Sequence, residues 1–430
     1  MEFRKITNGT ELARTPAREA LLSIADAGLR AIDTAVAVAA GVSLSGDVLS
    51  IRDETIPLSD VRQLLVVGFG KCSLEAARAL EFILGDRIAG GIVIDVHEGK
   101  LDRITSYTGD HPFPSERNVS ATRELLSLLS GLTENDLVLA LVSGGGSTLL
   151  CQPQEMQCTI EADVVRHLFR AGADIREMNI LRKHLSLARG GHLARAAFPA
   201  CVISLVFSDV PGDDLSSVAS GPTVRDTTTI ADAETILEKY KIREQCPVPR
   251  SALIETPKED RYFKRVHNIL FVSNVTALSA MREAAEERGL HAEIRTALLS
   301  GEARDVGLNI IREAHAAPPG TVLLYGGETT VTVRKPGKGG RNQECAISAL
   351  REIAAGDTVL ALASDGRDNT DSAGAICDIM TKRKAETLGL DPVHFLEEND
   401  TYSFFSRAGD LLQTGDTGSN VSDLILAFHE

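Results

Sequence analysis

The feature that most constrains this chain is an alternation of short, continuously apolar runs with stretches of helical apolar spacing. Residues 64–70 (LLVVGFG) form one such run, and helical spacing follows over 74–84. Residues 91–96, 137–143 and 201–208 are further runs, separated by helical patterns at 120–129 and across 162–197. An apolar run with no polar alternation is a strand buried on both faces. Helices between such strands predict a parallel sheet covered on both sides. The Ala- and Leu-rich residues before 64 read as a helical hairpin.

The alternation fades over 224–266, which is rich in Asp, Thr, Lys, Glu and Pro. A domain boundary is placed at its end, giving an N-terminal domain of residues 1–260 and a C-terminal domain of 261–430. A second β/α series begins with a strand at 268–273, a helix from Val275 and a strand at 292–296. Two β-rich runs within 321–335 flank a Gly-Gly turn, and a helix at 342–355 and a strand at 358–364 follow. The hairpin predicts a mixed second sheet, so the fold class is α/β, a parallel-sheet domain followed by a smaller mixed-sheet domain.

The composition excludes several functions. The 430 residues carry 45 Lys+Arg against 60 Asp+Glu, a net charge of −15, with 4% aromatics and no Trp. That balance disfavours a nucleic-acid or anionic-membrane surface and leaves few stacking platforms for bases. No apolar run approaches the roughly 20 residues of a membrane span, and MEFRKITNGT lacks an apolar signal core. The seven Cys are odd in number and never spaced C-x-x-C. A disulfide framework or zinc ribbon is therefore not expected, and a reducing, cytoplasmic setting is. The oligomeric state is left open, a homo-oligomer included.

In open α/β sheets, ligands bind beyond the carboxyl ends of the strands. Five strand ends here carry Gly, Ser, Asp or Lys, the residue types of phosphate and metal sites. Ser143-Gly144-Gly145-Gly146-Ser147 is the strongest phosphate candidate, because glycines admit positive φ and let backbone N–H groups approach an anion. Gly68-Phe69-Gly70-Lys71-Cys72-Ser73 resembles the start of a dinucleotide fingerprint, with Asp95 where a ribose-binding acid would sit. Its third position is Ser, however, and Lys71 suits a phosphoryl group or a carboxylate better. Gly326-Gly327-Glu328 ends a strand of the second half. Asp209, Asp213 and Asp214 follow one strand, and Asp365, Asp368 and Asp371 another. They fit Mg²⁺, which takes one or two carboxylates plus phosphate oxygens, or they cap helices. Two basic clusters remain. Arg182-Lys183-His184 is one, and Lys335, Lys338 and Arg341 among glycines before a helix is the other, read as an anion site. His111 and His184 are read mainly as plain hydrogen-bonded residues.

With these segments in view, the chain resembles the D-glycerate 2-kinase family, two-domain proteins once labelled hydroxypyruvate reductases. The resemblance runs from about Arg18 to Leu426. It is carried by VVGFGK (66–71), GDHPFP (109–114), VSGGGSTLL (142–150), RKHLS (182–186), FSDVPGDDLSSVASGPTV (207–224), YGGETTVTV (325–333), GKGGRNQE (337–344), ASDGRDNTDSAGA (363–375) and TGDTGSNVSDL (414–424). It implies a Rossmann-like N-terminal domain, a site in the cleft between domains, and ATP-dependent phosphorylation of D-glycerate at its C2 hydroxyl. On that resemblance Lys71 and Arg341 look like the essential lysine and arginine. Asp209 looks like the acidic residue after the fourth strand, and 143–147 like the phosphate segment. The expected cofactors are ATP and Mg²⁺. Nucleotide contacts are expected from Gly68, Gly70, Ser143, Gly144, Gly145, Gly146, Ser147, Gly326, Gly327 and Glu328, and metal ligands from Asp209, Asp213, Asp365 and Asp368. Phe69, Cys72 and Met178 depart from the residues relatives often carry there. Two rival readings are a nicotinamide-dependent hydroxypyruvate reductase and a non-catalytic binding protein for sugar phosphates or nucleotides.

Overall fold

The computed structural model describes residues 3–430. The chain divides into two compact units. The first is Ala37–Phe271, and the second joins Val272–Glu430 to the segment that ends at Val36.

In the first unit, strands β1 (Val42–Ser45), β2 (Val48–Ile51) and β3 (Glu54–Pro57) make an antiparallel meander where the sequence suggested only helix. The main sheet holds β4 (Gln63–Phe69), β5 (Ile88–Asp95), β6 (Thr105–Thr108), β7 (Asp136–Ser143), β8 (Cys201–Phe207) and β9 (Val266–Val272), in the spatial order β6-β5-β4-β7-β8-β9. β4 pairs parallel with both β5 and β7, and β7 pairs parallel with β8. Every residue of β7 is buried, as the continuous apolar run requires. The chain leaves β4 toward β5 and β6 and returns on the other side as β7. The switch point of this sheet therefore lies between the carboxyl ends of β4 and β7. The single long helical pattern over 162–197 becomes three helices, Cys158–Arg170, Ile175–His184 and His192–Ala197. Asp174 and Glu177 form a capping box that starts the second, and Gly190 and Gly191 at φ 58° and 85° turn the chain into the third, which Gly191 caps.

The second unit's sheet contains β10 (His291–Leu299), β11 (Thr321–Gly327), β12 (Asp357–Ala363), β13 (Gly374–Asp378), β14 (Leu411–Leu412) and β15 (Asp423–His429), in the order β10-β11-β15-β12-β13-β14. It is mixed, but not through a hairpin at 321–335. β11 ends at Gly327, and the mixing comes from β15, which runs antiparallel to both β11 and β12 between them. Residues 328–335 form no strand, and Thr330 makes only an isolated bridge to Glu302. They are tied down instead by Glu302, which accepts from Thr332 N–H at 2.9 Å, and by Asn399, which accepts from Arg334 N–H at 2.7 Å.

The division differs from a cut at 260/261 in two places. β9 completes the first sheet rather than opening the second unit. The N-terminal helix Pro16–Ala31 belongs to the second unit, where its Arg18 is fully buried. Its guanidinium grips Asp378 at 2.7 and 2.8 Å and Asp410 at 2.7 Å. Burial opposes the charge, and the two carboxylates outweigh it and raise the pKa above the ordinary arginine value. Gly28 lies where a Cβ would meet Met281 Cγ at 2.6 Å, which sets the close approach of Pro16–Ala31 to helix Asn274–Glu286. No described helix is long and apolar enough to cross a membrane.

Arg18→Ala leaves the buried Asp378 without its cation and leaves Asp410 only Arg14, 3.1 Å away, and should cost about 3–5 kcal/mol. Urea unfolding should show this as a lowered midpoint, with Arg18→Lys restoring only part because it cannot fork. An unchanged midpoint in Arg18→Ala would show that the N-terminal helix is held by packing alone.

Candidate active site

The chemistry-bearing residues of the first unit gather where β4, β7 and β8 end. The parallel register aligns Phe69 with Val142 and Ser143 with Phe207, so the three following loops start at one level. They are bound edge to edge. Lys71 N–H donates to Gly144 O at 3.0 Å, and Cys72 N–H reaches Ser143 Oγ at 3.4 Å. A Cβ at Gly70 would stand 2.0 Å from Ser143 Oγ, and one at Gly144 would stand 2.2 Å from Asp209 Oδ2. Only glycine permits such an approach. Gly68 and Gly70 are thus buried spacers rather than contact surfaces, while Gly144 brings the Asp209 carboxylate against the loop after β7.

That loop exposes its amides. Gly145 adopts φ 80° and caps the short helix Gly146–Leu149, whose first bond is Thr148 N–H to Gly145 O. The N–H groups of residues 144–147 donate to no acceptor among the described residues. Ser147 Oγ lies 2.9 Å from Ser220 Oγ, which donates to Asn179 Oδ1 at 3.1 Å. Ala219 and Ser220 both hold left-handed φ, 51° and 59°. Such strain in non-glycine residues persists only where neighbours enforce it.

Two cations lie by this loop without an ion-paired acid among the described residues. Lys71 is exposed and packs its stem near Gly145, with Cγ 3.2 Å from the position of a Cβ there, and His111 Cδ2 lies 3.3 Å from the same point. Arg182 sits three residues after Asn179 in Ile175–His184, hence on the same helix face. Neither Lys71 nor Arg182 has a hydrogen-bond or ion-pair partner among the described residues. Burial, then repulsion from Arg189, holds the Arg182 pKa below its ordinary value. The neighbours of Arg182 are spent elsewhere. Lys183 donates to Asp226 at 3.1 Å, and His184 bonds Ile254 O and Thr228 Oγ1. Desolvation, then the charges of Lys71 and Arg182, push His111 down to about 4, so it is neutral near pH 7. His111 and Arg182 are the residues that sequence reasoning undervalued. The usable signal was their presence in GDHPFP and RKHLS, beside the glycine loop only in three dimensions.

Asp95 is not a ribose acid. It is 1% exposed, and its oxygens accept from the N–H groups of Leu74, Val96 and His97 at 2.9, 2.7 and 3.1 Å. After β8, Asp213 is half-buried at φ 54°, next to Asp209 in the same loop, while Asp214 binds Ser216 and Ser217 as a local turn cap.

The second unit holds a different constellation. Arg341 opens helix Arg341–Leu350 and forks onto Asp423 at 2.6 and 3.0 Å, with Glu328 as a further partner. Burial opposes its charge, and the Asp423 bonds prevail and raise its pKa. Asp368, expected as a metal ligand, does another job. It is 2% exposed and accepts from Asn342 N–H at 3.0 Å and Gln343 N–H at 2.8 Å, which fixes the start of that helix. Asp365 uses one oxygen in a turn with Arg367 N–H at 2.9 Å, and the other oxygen remains available. Gly326 and Gly327 are held close to the protein's own atoms. A Cβ at Gly327 would meet Leu299 O at 2.3 Å, so this glycine serves the pairing of β11 with β10. The basic glycine loop before Arg341 also packs. A Cβ at Gly340 would meet Asp368 O at 2.1 Å, Lys335 pairs with Glu398, and Lys338 pairs with Asp371 and lies 3.4 Å from the Tyr402 ring centroid.

A chain similar to known proteins can be read beside this geometry. A family model described as a domain of unknown function (DUF4147) matches residues 20–255, and the MOFRL family model matches 321–423. Glycerate 2-kinase of Pyrococcus horikoshii is 38% identical, covering 95% of this chain and 97% of its own. A protein of Agrobacterium vitis provisionally named hydroxypyruvate reductase is 37% identical over 95% of this chain and 93% of its own. The crystal structure of glycerate kinase from Thermotoga maritima superposes with a TM-score of 0.87 at 36% identity, covering 97% of this chain and all of that one (100%).

Titration of His111 checks the electrostatics of the first constellation. Its imidazole should titrate near 4 and stay neutral from pH 5 upward. Lys71→Met should move that titration upward, toward the ordinary histidine range, in an NMR pH series. A wild-type His111 that titrates at 6.5 would mean that the cations do not converge on it.

Proposed function

Because the chain belongs to the glycerate 2-kinase family, we propose that it transfers the terminal phosphoryl group of ATP to the C2 hydroxyl of D-glycerate, giving 2-phosphoglycerate and ADP. The observation that carries this reading is the pair of unpartnered cations, Lys71 and Arg182, facing unsatisfied amides at a sheet switch point. Arg182 is partly buried with no ion-pair partner among the described residues, so an anion that completes it stabilises it, and the exposed Lys71 adds a second positive charge at the same loop. Phosphate and carboxylate are the anions that both substrates bring.

Phosphoryl transfer asks the protein mainly for alignment and charge neutralisation. The 144–147 amides would hold phosphate oxygens, and Lys71 would neutralise the group in transit. Arg182, with a guanidinium fork suited to carboxylates, would hold the acid end of glycerate. Asp209, pressed against Gly144, would accept the proton of the C2 hydroxyl as its oxygen bonds phosphorus and the bond to ADP breaks. Asp209 and Asp213 are half-buried hard-oxygen donors in one loop and fit Mg²⁺. When bound, the ion would offset phosphate charge. Asp368 has no place in that set.

Nicotinamide-dependent reduction of hydroxypyruvate is less well supported. Asp95, the residue that would grip a ribose, is consumed by backbone amides, and the fingerprint's third glycine is Ser73, whose hydroxyl bonds Gly70 O and Ile94 O.

Purified chain given D-glycerate and Mg-ATP should release ADP, and its product should feed enolase directly. NADH with hydroxypyruvate should show no loss. Lys71→Ala and Arg182→Ala should each lower kcat/KM at least on the order of 100-fold. Neither should lower the Tm, since each removes an uncompensated charge. ADP release that persists in both variants, or NADH loss without ADP release, would overturn the reading.

A further inference from the structure

The opposite end of the second unit's sheet carries a side-chain cluster that phosphoryl transfer does not use. Asp357 opens β12 and His429 closes β15, and the antiparallel register sets them directly opposite. His315 comes from the last turn of helix Ala303–Ala316. His315 Nε2 lies 2.7 Å from Asp357 Oδ2, and His429 Nδ1 lies 2.7 Å from Asp357 Oδ1. The three ligand-type atoms fall within 4.8 Å of one another. The Asp357 side chain is 0% exposed, whereas the imidazoles are 34% and 30% exposed. The cluster is remote from Arg341. Along β15, six residue steps separate His429 from Asp423, about 20 Å at ~3.3 Å per residue.

We propose that His315, Asp357 and His429 form a binding site for a divalent transition ion of the zinc type, with water as the remaining ligand. Ligand chemistry selects the ion. Two imidazoles and one carboxylate suit Zn²⁺, whereas Mg²⁺ prefers an all-oxygen shell. Preorganisation is built in. Asp357 and His429 face each other across paired β12 and β15, and β15 is an interior strand of the sheet, so neither backbone position can drift. An outer shell exists as well. Ala354 N–H donates to Asp357 Oδ2 at 2.7 Å, orienting the carboxylate so that Oδ1 can serve as the ligand. The half-exposed imidazole edges give a path for entry and a place for water.

Binding needs only side-chain rotation. Zn²⁺ sits about 2.0–2.2 Å from such ligands, which places tetrahedral ligand atoms about 3.3 Å apart. The imidazole nitrogens draw together, and each 2.7 Å nitrogen–oxygen contact opens slightly. In a neutral imidazole the proton leaves the nitrogen that faces Asp357 and resides on the outer one, so two hydrogen bonds are exchanged for two metal–nitrogen bonds. The ion would pin Ala303–Ala316 to the two central strands, which makes it a structural ion. Its effect on stability follows its concentration relative to Kd.

The test uses the full chain, stripped with EDTA and titrated with Zn²⁺ alone by calorimetry, beside melts with and without Zn²⁺. The wild type should take up Zn²⁺ at one site with a Kd of about 10 μM or tighter, and Zn²⁺ should raise its Tm. His315→Gln and His429→Gln should each weaken uptake at this site at least about 10-fold, as loss of one of three ligands requires, and should abolish the Tm shift. D-glycerate-dependent ADP release without added zinc should match the wild type in both. If His429→Gln fails to fold, His315→Gln on the helix decides alone. Uptake weaker than about 1 mM, or uptake undiminished in His315→Gln, which would place the ion at the seven cysteines or at the Asp209 loop, would overturn the proposal.

Discussion

The close approach of three strand ends, β4, β7 and β8, is the constraint on which the first unit depends. Gly70 lets the β4 loop touch Ser143, and Gly144 lets Asp209 press against the β7 loop. With larger residues there, the loops would separate and each amide would find water or a neighbouring carbonyl. Held together, they leave the 144–147 N–H groups without an acceptor among the described residues and set Lys71 beside Gly145. The fold thereby places donors and cations where no hydrogen bond or ion pair among the described residues satisfies them. A chain selected for stability alone would have paired Arg182 as it pairs Lys183 with Asp226. Stability given up locally in this way marks residues kept for binding.

The two units treat their cations differently. In the first, Lys71 and Arg182 await a counter-ion. In the second, Arg341 already has Asp423 and Glu328, and Lys335 and Lys338 are matched to acids. An anion recruiting Arg341 has to compete with the half-exposed Glu328, while the buried Asp423 keeps the guanidinium oriented. Asp423 thus acts as the positioning partner, and Glu328 as the partner that yields.

Much of the main sheet was legible because its strands are long apolar runs that only a two-face-buried parallel sheet explains. β4, β5, β7 and β8 fall within a residue or a few of the expected bounds. The meander over 42–57 was not legible, because four-residue strands carry too little periodicity to outweigh an Ala-rich preface. β9 reads like any other strand, and only long-range pairing assigns it to the first sheet. The partnership of Arg18 with Asp378 and Asp410 links residues about 360 and more positions apart and leaves no local pattern. The site was half legible. Glycine runs announced close approach but not its purpose. At 143–147 the glycines bare amides, whereas at Gly327 and Gly340 they admit the protein's own backbone. Asp368 shows the same ambiguity, since helix capping and metal binding call for the same residue type. Arg182 and His111 gain meaning only when 111, 145 and 182 converge.

The loop after β7, with Lys71 and Arg182, is proposed as an anion site awaiting its ligand. A crystal structure of the chain with a non-hydrolysable ATP analogue, Mg²⁺ and D-glycerate tests it most directly. The account predicts phosphate oxygens on the 144–147 amides, and Lys71 and Arg182 each in contact with an anionic oxygen of one substrate. Ligands bound elsewhere, with both cations still unpartnered, would contradict it.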